Sequence, residues 1–300
     1  MEIDSIQDLI YEPGELTLDD ISCNANIART LHNQIRLDPK IRELFPTAVN
    51  LLPIHNRFVL LYGPPASGKT HLCRALANSF AKLYPENASS IFWITTLSIS
   101  SKYIGEGAQR IDAVAQAAKR AERALIILDA LEEFCPRRDS DATTIPNYTN
   151  SILRLWEKTR DLDVTIVATT HRPWRVDPAV LSRMSPKIFV DYPTAEEAEA
   201  YLSERCELGA LLGDAPEESR RLVALAASLA AQKHLPYRAL NLLYTNLSYK
   251  SAERTMEACP DKGAAPLPLI EADVRQAVDS IAPYLSEEEY QRYLSSQHSL

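Results

Sequence analysis

Residues 63–70 read GPPASGKT and satisfy the pattern GxxxxGK[ST]. The apolar run FVLLY stands directly before this segment, and the helical sequence HLCRALANSF directly follows it. A loop between a strand and a helix in this arrangement turns backbone N–H groups and a helix N-terminus toward a phosphate. The segment therefore predicts a strand, a phosphate-binding loop and a helix in succession, as at the start of an α/β nucleotide-binding core.

The side chains of this loop have distinct expected tasks. Lys69 places a positive charge near the β and γ oxygens of a nucleotide, and the Thr70 hydroxyl can bind Mg²⁺. The other candidate nucleotide contacts are their neighbours in the chain, Gly63, Pro64, Pro65, Ala66, Ser67, Gly68 and His71. The motif thus predicts a bound nucleotide accompanied by Mg²⁺.

Mg²⁺ at such a site also needs a carboxylate. Asp129 ends the buried-type run ALIIL, so it is expected at the carboxyl end of a strand, where ligands of open α/β sheets bind. We interpret Asp129 as the second Mg²⁺ ligand. The alternative is a solvated aspartate at a strand end.

Apolar runs of strand length alternate with helix-period segments from about Arg57 to Val190, which predicts βαβ units. An apolar stripe at i, i+3, i+4 and i+7 lies between the second and third runs and predicts a helix against the sheet: Ile111, Val114, Ala115 and Ala118. The expected strands are FVLLY, IFWITT, ALIIL, VTIVATT and KIFV. The fold class is therefore an α/β P-loop NTPase core with a five-stranded parallel sheet.

After Val190 the sequence no longer shows strand patterns, and instead shows patterns typical of helix N-termini. Capping boxes are expected at three places: Thr194 with Glu197, Asp214 with Glu217, and Ser286 with Glu289. We expect a small all-helical lid after the core. The predicted limits are a short extension over 1–18, an α/β core over 19–192, and the lid with C-terminal helices over 193–300.

Composition narrows the classes of partner. The formal net charge of −8 argues against a nucleic-acid partner. The five cysteines are far apart with no CxxC pair, so neither a disulfide framework nor a zinc site is indicated. The start MEIDSIQDLI carries acids where a targeting peptide carries bases, and no run approaches the ~20 apolar residues of an integral membrane segment. The expected location is cytoplasmic or nuclear.

Several segments together resemble the AAA ATPases. TLDDI at 17–21, LLYGPPASGKT at 60–70, SKYIGEG at 101–107, IILDALEEFCPRRDS at 126–140 and VATTHRPWRVDPAVLSRM at 167–184 are similar to motifs of that family. The sequence PLIEADVRQAVDSIAPYLSEEEYQRYL at 268–294 resembles the C-terminal helices of the meiotic clade, which includes katanin, spastin, fidgetin and the vacuolar sorting ATPase that disassembles ESCRT filaments.

This resemblance implies ATP and Mg²⁺ as cofactors and a ring, usually a hexamer, that draws a polypeptide through its centre. Ile21 would lie near adenine. Arg183 would complete the nucleotide site of a neighbouring subunit. The alternative interpretation is that Arg183 is an ordinary surface arginine. The implied pore loop that grips peptide is Lys102, Tyr103 and Ile104, unless Tyr103 packs on its own domain.

The chain departs from the family at catalytic positions. The carboxylate that usually follows the Walker B aspartate is replaced by Ala130, and alanine cannot take a proton from water. Glu132 is a candidate catalytic substitute, but in an extended chain it lies about 6.6 Å beyond Ala130 and needs a bend to act. His171 stands where the family has a sensor asparagine and can still donate to a γ-phosphate or water. The pair Glu132 and Glu133 fits a solvated loop equally well.

Two functions of different classes remain. The first is an ATP-hydrolysing AAA machine with slow turnover, acting on a protein or peptide as a homo-oligomeric ring or a mixed ring with a paralogue. The second is a pseudo-ATPase that uses nucleotide to fix an interface. Ala130 favours the second, whereas Lys69, Tyr103 and Arg183 favour the first. A metabolic P-loop kinase is weaker because no acceptor-binding insertion is visible.

Overall fold

The computed structural model describes residues 6–21, 24–44, 58–99, 105–121, 123–137, 147–204, 216–258 and 267–297. The strands in these residues are β1 Phe58–Tyr62, β2 Ile91–Ile94, β3 Ala124–Leu128, β4 Val164–Thr170 and β5 Lys187–Phe189. The α-helices are α1 Ala25–Leu44, α2 Lys69–Leu83, α3 Thr96–Ile99, α4 Glu106–Arg120, α5 Leu131–Phe134, α6 Thr149–Thr159, α7 Pro178–Leu181, α8 Ala195–Glu204, α9 Pro216–Gln232, α10 Tyr237–Ala258, α11 Glu271–Asp279 and α12 Glu287–Ser296. Short 3₁₀ helices span Gln7–Leu9, Leu18–Asp20, Pro85–Ser90 and Pro173–Arg175.

The strands form one parallel sheet in the order β2-β3-β4-β1-β5. This confirms the predicted five-stranded parallel sheet. Strands β1, β3 and β4 are buried along their whole length, which is why each reads as a continuous apolar run rather than an alternating one. Since β4 separates β3 from β1, the residues that follow these three strands meet at one edge of the sheet.

Both faces of the sheet are covered by helices. Along β1, Phe58, Leu60 and Tyr62 belong to one apolar cluster, while Val59 and Leu61 belong to another, as the two-residue period of a strand requires. Helices α4 and α6 pack on the first face, and α1 and α2 on the second. The stripe predicted for α4 is confirmed, since all four of its members are buried: Ile111, Val114, Ala115 and Ala118.

The C-terminal part has its own apolar core. Helices α8 to α11 share a cluster that includes Leu202, Ala226, Leu243 and Val274. The predicted helical region is therefore present. In the part of the chain that the structure describes, no helix is both long enough and apolar enough to cross a membrane. The domain limits given above stay a prediction.

The last helix, α12, returns to the α/β core. Tyr290 Oη donates to Asp191 Oδ1 at 3.0 Å and Oδ2 at 2.9 Å, just after β5. Tyr293 Oη donates to the carbonyl oxygen of His171 at 2.7 Å, just after β4. These two hydrogen bonds attach the C-terminal helix to the edge of the sheet where β4 and β5 end.

Two predicted capping boxes form. Thr194 N–H donates to Glu197 Oε2 at 3.1 Å, and Glu197 N–H donates to Thr194 Oγ1 at 3.2 Å, at the start of α8. Ser286 and Glu289 cap α12 in the same way. Asp214 lies outside the described residues.

Strand β2 is shorter than the run IFWITT suggests. Thr95 N–H donates to Ser98 Oγ at 2.9 Å, and Ser98 N–H donates to Thr95 Oγ1 at 3.1 Å. These side chains offer the backbone a local turn in place of ladder bonds, so β2 ends at Ile94 and a helical turn begins at Thr96.

Candidate nucleotide site

The loop after β1 requires glycine at its first position. Gly63 has φ +152°, and a Cβ there would lie 2.1 Å from the carbonyl oxygen of Val190. Gly68, at the other end of the loop, has φ +99° and precedes α2 in the left-handed region. The two glycines let the loop close tightly around the space in front of the α2 N-terminus, a position where the first backbone N–H groups of a helix can bind an anion.

Lys69 is directed into this loop. Its side chain is buried, with the residue 8 % exposed, and Nζ donates to the carbonyl oxygens of Gly63 at 2.9 Å and Pro64 at 2.6 Å. Burial lowers the pKa of Lys69 to about 8, although the carboxylates of Glu132 and Asp129 oppose this effect. An anion in the loop would stabilise the ammonium, because that charge is otherwise poorly solvated.

A set of oxygen atoms surrounds Asp129. Thr70 Oγ1 donates to Asp129 Oδ1 at 3.2 Å and lies 3.4 Å from Oδ2. Thr169 Oγ1, on the neighbouring strand β4, donates to Asp129 Oδ1 at 2.6 Å. A hydroxyl and a carboxylate at this separation beside a phosphate loop fit Mg²⁺, which prefers oxygen ligands and usually takes only one or two from a protein.

The chain bends immediately after Asp129. Ala130 has φ 64° and ψ 61°, and α5 starts at the next residue. The bend that a catalytic role of Glu132 would need is therefore present. The Ala130 N–H donates to Thr169 Oγ1 at 3.1 Å, which fixes the bend to the end of β4.

The bend turns Glu132 inward toward β4. Its Oε1 lies 2.6 Å from Nδ1 of His171 and also accepts the His171 N–H at 3.3 Å. Burial raises the pKa of the Glu132 carboxyl, but hydrogen bonds from the His171 and Thr170 side chains, the charge of His171 and a backbone hydrogen bond together outweigh burial, so this pKa lies below its usual value. Glu132 is therefore an ionised, buried carboxylate bonded to the imidazole.

These residues line an open cleft at the carboxyl edge of the sheet. The described lining residues come from three parts of the chain. They are Pro65, Ala66, Lys69 and Thr70 of the phosphate loop; Asp129, Ala130, Thr169 and His171 at or just after the ends of β3 and β4; and Thr95, Thr96, Leu97 and Glu133. Glu132 is not among the described lining residues. Of the predicted loop contacts, Ser67 is buried beside Lys69 and His71 is exposed on α2.

A model of the ATPase family associated with various cellular activities (AAA) matches residues 59–192. This span runs from β1 to just past β5 and includes the phosphate loop, Asp129 and His171. The chain contains an AAA domain. The family resemblance predicted from the sequence motifs is confirmed.

Individual relatives agree with this assignment. Spastin from Danio rerio is 29 % identical over 192 residues, which cover 62 % of this chain and 32 % of that protein. Spastin from Homo sapiens is 29 % identical over 196 residues, covering 64 % of this chain and 30 % of that protein. "Peroxisomal ATPase PEX1" from Cricetulus griseus is 32 % identical over 175 residues, covering 57 % of this chain and 13 % of that protein. The chain thus spans a third or less of the length of these relatives.

The fold has a solved counterpart in the "Crystal structure of FIGL-1 AAA domain". The TM-score is 0.65 at 19 % identity, and the match covers 99 % of this chain and 94 % of that chain. Because the match extends over nearly the whole chain, it includes the helices after the AAA domain as well as the sheet.

Other predicted site residues lie apart from the phosphate loop. Ile21 follows the 3₁₀ helix Leu18–Asp20 and packs against the apolar cluster of α1 and α2. Arg183 is not among the described residues that line the cleft. Its Nη1 donates to the Ala179 carbonyl at 2.7 Å, and its guanidinium lies 5.7 Å from the Trp156 ring centroid. The predicted pore-loop residues Lys102, Tyr103 and Ile104 lie outside the described residues.

Three residues near the AAA domain's cleft were not predicted as part of the site. Thr169 donates a hydrogen bond to the Asp129 carboxylate, and Tyr293 donates one to the backbone carbonyl of His171. Tyr237 lies 3.9 Å from the position of a Cβ on Gly68, and its hydroxyl accepts from Asn24 Nδ2 at 3.4 Å. The threonine pair at the end of VATT is a local signal that could have pointed to Thr169, whereas the two tyrosines reach the site only through the folded chain.

Tyr293→Phe is expected to lower the free energy of unfolding by about 1 kcal/mol, because the His171 carbonyl loses a donor where β4 ends. Burial raises the pKa of Tyr293 to about 12, so its hydroxyl stays a donor at neutral pH. Urea unfolding followed by circular dichroism measures the change. Tyr249→Phe is the matched control, since Tyr249 is 71 % exposed. Equal effects of the two substitutions would show that the α12 contact contributes nothing.

Proposed function

We propose that this chain binds ATP with Mg²⁺ in the cleft at the carboxyl edge of the sheet and hydrolyses the ATP slowly. The observation that carries this proposal is the convergence of Lys69, Thr70 and Asp129 on one phosphate loop, with Thr70 and Asp129 within hydrogen-bond distance. The proposed nucleotide contacts are the loop from Gly63 to His71, with Ile21 on the adenine side.

The chain's own groups have separate tasks in this reaction. The loop N–H groups and the Lys69 ammonium bind and orient the phosphates and stabilise negative charge that develops on them. Thr70 and Asp129 would hold Mg²⁺, which supplies charge neutralisation on the phosphate oxygens when bound. Thr169 positions the Asp129 carboxylate.

A catalytically weak pseudo-ATPase is the second candidate function. The observation that favours it is Ala130, which lines the cleft next to Asp129 and whose side chain has no proton-accepting atom. The two candidates differ in phosphate release by purified full-length chain. A rate above that of Lys69→Ala supports the ATPase, and a rate equal to it with ATP binding retained supports the pseudo-ATPase.

We further propose that the chain works as a ring, as a homo-oligomer or with a paralogue, and acts on a protein or peptide rather than nucleic acid, in the cytoplasm or nucleus. In a closed head-to-tail ring, one subunit can supply an arginine to its neighbour's nucleotide. Arg183 is the proposed arginine. Arg183 is half-buried, its guanidinium lies over Trp156, and it is not among the described residues that line its own chain's cleft, as fits an arginine supplied to a neighbour.

ATP is expected to raise the average mass measured by light scattering, and Arg183→Ala should shift the mid-point of this assembly to roughly tenfold higher protein concentration, equivalent to about 1.4 kcal/mol at an interface. Arg160→Ala is the matched control, because Arg160 lies over the same Trp156 ring at 5.6 Å. A monomer at every protein and ATP concentration would exclude the homo-oligomer and leave only a ring shared with a paralogue.

A further inference from the structure

The cleft needs a proton acceptor if the proposed hydrolysis occurs, and Ala130 has none. Asp129 is committed to Thr70 and Thr169. Lys69 is assigned to the phosphates as an ammonium. The remaining described lining residues that can accept a proton near neutral pH are His171 and Glu133. Glu132, the substitute predicted from the sequence, is buried against His171 and is not among the described residues that line the cleft. The choice of base is therefore between the imidazole and the Glu133 carboxylate.

The contact with Glu132 fixes the imidazole of His171. The side chain of Glu132 is 6 % exposed and that of His171 is 36 % exposed, so the pair runs from the interior to the cleft. An ionised carboxylate can only accept a hydrogen bond, so Nδ1 at 2.6 Å carries the hydrogen. In a neutral imidazole Nε2 then has the free lone pair.

The backbone of His171 is held from two sides. Its N–H donates to Glu132 Oε1 at 3.3 Å, and its carbonyl accepts from Tyr293 Oη at 2.7 Å. It also stands two residues after Thr169, which binds Asp129. The imidazole is thereby fixed at the edge of the cleft where the proposed Mg²⁺ ligands lie.

Glu133 is positioned less favourably than His171 to act as the general base. Its residue is exposed, and its Oε2 accepts from Thr96 Oγ1 at 2.8 Å at the side of the cleft where Leu97 is 88 % exposed. The carboxylates that most raise the pKa of Lys69 are those of Glu132 and Asp129. Solvent competes for the Glu133 carboxylate, whereas the imidazole is oriented by a buried one.

We propose that His171 is the general base of this chain and that Glu132 positions it, a division of tasks that replaces the absent carboxylate at Ala130. The inference rests on the proposed ATPase activity. His171 Nε2 takes a proton from water, and the water oxygen forms a bond to the γ-phosphorus. The bond between that phosphorus and the bridging oxygen breaks, and ADP leaves with the electron pair. Glu132 stabilises the imidazolium until the proton passes to phosphate or solvent.

His171→Asn tests the base, because asparagine keeps a donor but cannot take the proton. In the full-length chain, phosphate release is expected to fall roughly 10²–10⁴-fold, the usual contribution of a general base. The dissociation constant of a fluorescent ATP analogue should change less than about threefold. Free imidazole should restore part of the rate of His171→Gly, a rescue that a purely structural role does not give.

His234→Asn is the matched control for the histidine substitution. His234 also faces a glutamate, with Nε2 3.7 Å from Glu287 Oε2, and has φ 51°, a backbone conformation that asparagine tolerates well. Its phosphate release should equal that of the unsubstituted chain.

Glu132→Gln tests the positioning role. We expect roughly a 10–100-fold loss of rate, because an amide neither fixes the tautomer nor stabilises the imidazolium. Nitrogen-15 NMR of the histidine ring is the readout independent of turnover: the unsubstituted chain should show a protonated Nδ1 and an unprotonated Nε2 at His171, and Glu132→Gln should lose this preference. Glu132→Asp should keep part of it.

The possible results distinguish a failure of the base assignment from a failure of the proposed ATPase activity. A phosphate-release rate that Lys69→Ala leaves unchanged overturns the ATPase and the base together. A Lys69-dependent rate that survives His171→Asn, or that Glu133→Gln alone abolishes, overturns the base assignment and leaves the ATPase standing. Protonation of Nε2 rather than Nδ1 in the neutral ring also overturns it.

Discussion

Lys69→Ala is expected to remove about half or more of the thermal stabilisation that ATP with Mg²⁺ confers. A ligand held by the folded state alone stabilises it by about 2.7 kcal/mol at a concentration 100 times its dissociation constant. Charge-assisted hydrogen bonds contribute roughly 1.5–3 kcal/mol each, so loss of the ammonium should weaken ATP binding at least tenfold and up to about 100-fold. At 100-fold the same ATP concentration stabilises by only about 0.4 kcal/mol.

The nucleotide-dependent shift, not the melting temperature itself, is the quantity to compare. Lys69 Nζ binds the carbonyls of Gly63 and Pro64, so its removal also changes the stability of the chain itself. Lys158→Ala is the matched control: Lys158 lies on α6 and its Nζ is 3.0 Å from Asp112 Oδ1. An unchanged ATP-dependent shift in Lys69→Ala would place the nucleotide somewhere other than this loop.

The sheet could be predicted from local patterns because its three central strands, β1, β3 and β4, are buried on both faces. A strand such as ALIIL has to be apolar throughout, and the glycines and lysine of residues 63–70 mark where the chain turns into α2. The predicted end of β2 was two residues too late, since Thr95 and Ser98 form a turn that competes with the strand. Reading the threonine and serine as capping side chains gives the observed end.

The catalytic side of the cleft depends on contacts that no local pattern contains. Ala130 adopts a positive φ that L-residues seldom take, so the bend after Asp129 carries no sequence signal. The Glu132–His171 contact joins residues 39 apart in the chain, and the Tyr293–His171 bond joins residues 122 apart. The first contact requires β3 and β4 to lie side by side, and the second requires α12 to pack where β4 ends. The sequence therefore identified Glu132 and His171 but neither their contact nor Tyr293.

Ala130→Glu in the His171→Asn background is expected to raise the rate of phosphate release by roughly 10²–10⁴-fold, the full contribution of a general base. Ala130 lines the cleft next to Asp129, so a carboxylate added there faces the same space as the proposed Mg²⁺ ligands. Because Ala130 is already a non-glycine residue at φ 64°, the substitution adds little backbone strain.

In the otherwise unsubstituted chain the same change should give a smaller gain, about tenfold, since a second base replaces the imidazole instead of multiplying its effect. The two substitutions are therefore expected to be strongly non-additive, as for groups that perform one task. Single-turnover phosphate release at saturating ATP measures all four chains, and analogue binding shows that each still holds nucleotide. Equal gains from Ala130→Glu with and without His171 would mean that the two positions act independently, and the imidazole would then not be the base that the carboxylate replaces.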